Sequence, residues 1–307
     1  MNNVNSAPTY RSGKQSVAPG GSEASEDARA RAFQFLSGLA AELSTGTADL
    51  PCFPDVVIRI RRALDDPNMK MEQTVTIVGS EPRLAAKLLQ TANSAAFNTS
   101  GKPLTELRTA ITRLGQKIVQ SAAMAYAVQH MKEQESLRAV AEPLSELWND
   151  SIAVACIAQV VARRTKVTSD EAFLTGLLHG IGRLYILVRA VGKTAGLDID
   201  SNSLDLIAGW HASIGKSALE NWGFAQEMAE AVGDQGEFER SRKNADLTDV
   251  LVASIILGEA LRQPAPRAVD LTSSTAFQTI GLGQEDCAAV LTHAQYQLGA
   301  LHEALGC

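Results

Sequence analysis

From residue 27 onward, apolar residues recur at spacings of three and four, the period of α-helices with one buried face. Ala32, Phe33, Phe35, Leu36, Leu39 and Leu43 predict a lead-in helix within 27–47, closing at the turn-rich Ser44-Thr45-Gly46-Thr47. Leu50-Pro51-Cys52-Phe53-Pro54 predicts an extended entry, because proline fixes its own φ and disfavours helix in the residue before it. A helix through Val57, Ile58, Ile60 and Leu64 follows, then another around Gln73–Val78. Ser80-Glu81-Pro82 supplies a cap, an early acid and a helix-starting proline.

Further stripes run through Leu84, Leu88 and Ala92, and through Leu107, Ile111, Leu114, Ile118, Ala122 and Ala125. The pattern continues through Trp148, Ile152 and Ala155, through Phe173, Leu177, Leu178, Ile181 and Leu184, and through Val252, Ile255 and Ile256. A last stripe, Cys287, Leu291, Ala294, Leu298, Leu301 and Leu305, predicts a terminal helix over 284–305. Few windows alternate as strands do, and no spacing of Pro, Gly or aromatics repeats as in a solenoid. The expected fold is all-α, a compact multi-helix bundle of about ten to twelve helices with an N-terminal helical subdomain.

Composition adds the ends and removes some partners. Residues 1–26 are Asn, Ser, Gly and Pro with scattered charges, too polar to offset the entropy of ordering, and are expected to be a disordered tail. A net charge of -6 offers no broad cationic field for nucleic acid. The short basic runs at Arg59/Arg61/Arg62, Arg163/Arg164/Lys166 and Arg240/Arg242/Lys243 read as solvated helix ends or faces. Cys52, Cys156, Cys287 and Cys307 form no CxxC pair, so reduced, mostly buried thiols are expected. No run reaches the roughly 18 consecutive apolar residues of a membrane span, and no secretory signal opens the chain, so the cytoplasm is the expected compartment.

Several segments together resemble one family, the HDOD domain, an HD-related output domain of bacterial signalling proteins. They are the Leu50–Pro54 entry, Leu88–Phe97 with Asn93-Ser94, and Ala110-Ile111-Thr112-Arg113-Leu114-Gly115. In the second half they are Leu147-Trp148-Asn149-Asp150-Ser151, Gly176–Gly182, Trp210-His211 and Asn221-Trp222-Gly223-Phe224. The resemblance covers about 48–245 and leaves 246–307 as C-terminal helices expected to pack on the domain.

The resemblance implies a helical relative of HD phosphohydrolases, in which His and Asp side chains gather one or two cations to activate water. In this chain the first ligand position falls near Asp150 and the His-Asp pair at His179-Gly180. A downstream His falls at His211, a later pair near Asp234 and Gln235, and the final Asp near Ser254. Glycine cannot ligate, so the central carboxylate is missing and these positions are expected to be vestigial, with no catalytic residue, cofactor or metal. Pro51, Pro54, Asn93, Ser94, Leu114, Gly115, Trp148 and Trp222 are expected to be structural, and Gly176, Gly180 and Gly182 to mark close helix approach or turns.

The function implied is a non-catalytic output or scaffold module that binds a signalling protein of a cyclic-dinucleotide, kinase or two-component pathway. Neither nucleic acid nor membrane is expected as a partner, and a homodimer is an open alternative. The 284–305 helix could serve as a partner helix, although packing within the chain is the simpler use of its stripe. Two competing readings are a divergent metal-dependent phosphohydrolase using Asp150, His179, His211 and Asp234, and a non-hydrolysing nucleotide sensor using Arg183.

Overall fold

The structure, a computed structural model, describes residues 23–45, 59–60, 63, 66, 68–94, 97–98, 102–191, 201–240, 242–262 and 269–305. Among them every regular element is helical: twelve α-helices and one 3₁₀ segment, Glu135–Val140. They are α1 Glu23–Ser44, α2 Met71–Gly79, α3 Pro82–Asn93, α4 Leu107–Lys132, α5 Ala141–Ala162 and α6 Ser169–Leu178. The rest are α7 Ile181–Val191, α8 Ser201–Asn221, α9 Gln226–Gly233, α10 Leu247–Arg262, α11 Thr275–Ile280 and α12 Gln284–Leu305. The expected all-α bundle is therefore what forms. Pro51 and Pro54 lie outside the described residues, as do 1–22 of the expected tail, while α1 begins at Glu23, four residues earlier than the sequence pattern suggested.

α5 is the axis of the bundle. Residues Ser151–Ala158 are buried without interruption, and α4, α6, α10 and α12 pack around them. Close approach explains two glycines: a Cβ on Gly176 would lie 2.7 Å from Ala155 Cα, and one on Gly258 would lie 3.2 Å from Val154 Cγ2. A third contact is tighter still, since a Cβ on Gly182 would come within 1.9 Å of the His211 carbonyl oxygen and hold α7 and α8 apart.

Local chemistry sets most boundaries. Ser80 closes α2 rather than opening α3: its backbone is the C-cap and its hydroxyl donates to the Ile77 carbonyl at 2.6 Å. Glu81 is the N-cap of α3, Pro82 takes the first helical position, and the Glu81 carboxylate accepts from the Tyr126 hydroxyl at 2.8 Å. Gly115, at φ 73°, bends α4 with a backbone conformation that side chains beyond glycine resist. Asn93 clamps the return from α3: its amide donates to the Leu89 and Leu104 carbonyls at 3.0 and 2.8 Å, and its oxygen accepts from the Leu104 N–H at 2.6 Å. Ser94 donates to Thr91 at 2.8 Å.

The Asn221–Phe224 segment is a helix stop. Phe224 N–H reaches back to Leu219 at 2.9 Å and Gly223 takes φ 71°, the geometry of a Schellman ending. Asn221 also donates to the Leu43 carbonyl at 2.6 Å, which ties the end of α1 to α8. The Phe33 and Trp210 rings meet edge-to-face at 5.7 Å along the same interface. Trp222 and Trp148 are both buried.

The apolar stretch Ser169–Val191 is long and hydrophobic enough by composition to cross a membrane, with a mean hydropathy of 1.3. It is two helices broken at His179-Gly180, and 72% of the apolar window is buried, so packing against α5 and α8 accounts for its character. α12 lays Cys287, Val290 and Ala294 into the core against α5. An Arg164–Asp286 ion pair fastens its first turn.

Candidate functional site

His179 sits in the turn between α6 and α7, just before Gly180, whose carbonyl starts α7 by accepting from Leu184 N–H at 3.1 Å. The ring is buried. Its Nδ1 lies 2.7 Å from the Gly176 carbonyl oxygen, and since a carbonyl only accepts, Nδ1 carries the proton and Nε2 keeps its lone pair. Burial, aided by the Arg183 charge, pulls the pKa of the imidazole down to about 4 against the Gly176 bond, so it is neutral at pH 7.

Beside it lies a small cleft of about 50 Å³ bordered by Asp150, His179, Arg183, Gln235, Glu259 and Arg262. α5 supplies Asp150, the α6–α7 turn and α7 supply His179 and Arg183, the segment after α9 supplies Gln235, and α10 supplies the last two. The Asp150 carboxylate is held by the Arg262 guanidinium. Gln235 is buried and spends its amide on two backbone carbonyls, His179 at 3.2 Å and Val232 at 2.7 Å.

The positions that the resemblance assigns to the site therefore divide. Asp150, His179 and Gln235 meet in the cleft, and His211 lies near enough for its charge to act on His179. Gly180 faces elsewhere: a Cβ there would meet Ser151 Oγ at 3.3 Å and Leu147 Cδ2 at 3.8 Å, in an apolar gap that Trp148 also lines. Ser254 is fully buried and donates to the Val250 carbonyl of its own helix at 2.6 Å. Asp234 is the C-cap of α9 and does not border the cleft. Among the described residues no three His, Cys, Asp or Glu side chains converge as a metal-ligand set.

The residues present do not fit a cation. One neutral imidazole nitrogen is offered, the Asp150 carboxylate is neutralised by an arginine, and two guanidinium groups border the cleft. Glu259 and Arg262 were not among the sequence candidates. Their signal was the step Ile255, Gly258, Glu259, Arg262 along one face of α10, which places charges where an apolar stripe ends.

A second polar centre is built on Arg240, which the sequence pattern places in a solvated basic run. It is largely buried and donates to Asp246 Oδ1 at 2.8 Å, Asp246 Oδ2 at 2.9 Å and Asp249 Oδ1 at 3.1 Å. Asp246 and Asp249 also accept from each other's backbone N–H at the start of α10. The Arg240 bonds hold the Asp246 carboxyl down at about 2, whereas burial pushes Asp249 up. This cluster joins the loop after α9 to α10, and Thr275 bonds to both Arg240 backbone groups, which brings α11 in.

A model of the HDOD domain matches residues 50–238. An uncharacterized protein of Treponema pallidum (strain Nichols) is 24% identical over 208 residues, 63% of this chain, and the chain spans only 39% of that relative's length. Among solved structures, a protein from Shewanella amazonensis SB2B provisionally named a metal-dependent phosphohydrolase superposes with a TM-score of 0.65 at 22% identity, covering 90% of this chain and 99% of that one. A provisionally named signal transduction protein from Marinobacter aquaeolei VT8 gives 0.60 at 22%, covering 92% and 66%. An HDOD domain protein of unknown function from Geobacter sulfurreducens gives 0.58 at 20%, covering 89% and 98%. At such identities the superpositions speak for the fold, and the domain match, which takes in more than half of the sequence, places this chain in the HDOD domain family.

Proposed function

We propose that the protein is a non-catalytic signal-transduction module that works by binding a signalling protein, on a fold whose phosphohydrolase site is closed by an ion pair between two helices. One observation carries the reading: Arg262 from α10 grips Asp150 of α5 where a metal-binding carboxylate would need to be free. Arg183, close to neutral His179, adds a second fixed positive charge. Together they supply from within the chain positive charge of the kind a cation would bring, and the Arg262–Asp150 pair links α10 to α5.

The phosphohydrolase names that structural neighbours carry do not transfer on these residues, because among the described residues no ligand set for water activation converges. A nucleotide sensor in the same cleft is disfavoured by size: about 50 Å³ holds a few waters, whereas ligand pockets run to roughly 300–1,000 Å³. What remains for function is the helical exterior, and the neighbour named for signal transduction is consistent with that use.

Complementation of a deletion strain tests this, using His179→Gln, which keeps a donor for the Gly176 carbonyl and removes the imidazole. A scaffold retains the wild-type phenotype in this variant when its folded level is matched. Loss of the phenotype with the fold intact would return the protein to the catalytic class.

A further inference from the structure

A larger cleft than the one beside His179 lies away from it. It lies where α3, α4 and α5 meet, encloses about 420 Å³ and is bordered by Arg83, Lys87, Lys132, Tyr126 and Trp148 among others. Its space comes from small residues: Ala122 and Ala125 lie on the wall where larger side chains would fill it. The volume is within the range of small-molecule pockets and about eight times that of the His179 cleft.

The lining is one-signed. It holds three cationic side chains and no Asp or Glu, in a protein of net charge -6. Arg83 is already balanced, gripping Glu133 with both nitrogens at 2.6 and 2.7 Å while Gln129 steadies that carboxylate at 3.0 Å. Lys87 and Lys132 are half-buried and have no ion pair among the described residues. Two cationic side chains without a counter-charge at one cavity favour an anion there. The same cleft carries apolar surfaces, Ala122, Ala125, Val128 and Trp148, with Ser145 and Asn149 as further polar groups.

From this pairing of two uncompensated lysines with an aromatic and apolar wall we infer that the α3–α4–α5 cleft binds a small anion carrying a flat ring, of the nucleoside monophosphate class. The phosphate meets Lys87 and Lys132, and the ring lies against the Trp148 side. Lys suits a phosphate as a mobile point charge, while an aromatic wall accepts any base. Trp148 also borders the gap beneath Gly180, so the bound ring would sit next to the turn that holds His179. The inference does not depend on the vestigial site being inactive, because the two clefts share no lining residue.

The test is calorimetric titration of the full-length protein with adenosine and guanosine monophosphates, the corresponding nucleosides and inorganic phosphate. The expected result is saturable, salt-sensitive binding of at least one monophosphate, at least about tenfold tighter than its nucleoside or phosphate alone. Lys87→Ala with Lys132→Ala weakens it by at least about tenfold, Ala125→Leu fills the cleft and abolishes it, and His179→Gln leaves it unchanged. Circular dichroism and thermal melts confirm that each variant is folded. The inference is overturned by no saturable monophosphate binding, by phosphate binding as tightly as the nucleotide, or by binding that survives both cleft variants or is lost in His179→Gln.

Discussion

Replacing His179 isolates the energetics of the old site. Its folded pKa of about 4 against 6.5 in the unfolded chain means that the native state holds the neutral ring. Above about pH 6.5 neither state binds the proton and the full stability is present. As pH falls from there towards 4, the unfolded chain gains a proton that the native chain refuses, and stability drains away. At about 1.4 kcal/mol per unit the shift is worth about 3 kcal/mol, most of it gone by about pH 4.5. Urea unfolding followed by circular dichroism at about pH 7.5 and about pH 4.5 measures this in the wild type and in His179→Gln, which carries the contributions of every other group. The wild type should lose about 2–3 kcal/mol more than the variant across that interval. Parallel losses would show that His179 is not held neutral by burial and would undo the tautomer assigned from the Gly176 bond.

Three further outcomes follow from the packing. Arg240→Met leaves Asp249, only 1% exposed, without its cation and should cost about 3–5 kcal/mol in urea unfolding; a loss below about 1 kcal/mol would contradict the buried pairing. Gly176→Ala must move α6 off α5, because its Cβ would lie 2.7 Å from Ala155 Cα and 2.9 Å from Ala155 N, so a penalty of about 1–3 kcal/mol and a lower Tm are expected; an unchanged Tm would mean that the crossing is looser than described. Asn93→Ala removes bonds to Leu89 and to both backbone groups of Leu104, and should cost about 1–3 kcal/mol while speeding amide exchange at Leu104; unchanged exchange there would argue against the clamp.

Much of the architecture could be read from the sequence because its signals are local. Periodicity located α4, α5, α10 and α12, and Pro82 marked the start of α3. What stayed hidden depends on contacts between distant segments. Ser80 looked like an opening cap because Ser, Glu and Pro in a row suit one, but its hydroxyl turned back to Ile77 once Glu81 was drawn to Tyr126. The apolar spacing runs unbroken through Phe173 and Leu184 because a single His-Gly pair leaves it intact, and the glycines, expected to mark close approach or turns, do both: Gly176 at the α5 crossing and Gly180 at the break between helices. Arg240 resembled a solvated residue because its two aspartates lie six and nine positions on, in a part of the chain with no helical register to relate them.

The candidate site was half legible. Gly180 at the position where the resemblance puts a carboxylate, and the presence of Asp150 and His179, can be read directly. Arg262 is 112 residues from Asp150, and only the crossing of α5 and α10 joins them. Ser254 and Asp234 were placed by spacing to known motifs, and spacing does not say which way a helix face turns: the structure puts Ser254 inside its own helix's bonding and Asp234 at the end of α9.

The most direct test of the emptied site is transition-metal content by plasma mass spectrometry, on untagged protein purified without chelators and with His179→Gln alongside. The account predicts metal far below one ion per chain and no difference between the two proteins. Near-stoichiometric metal in the wild type that disappears in the variant would contradict it and restore a phosphohydrolase to this fold.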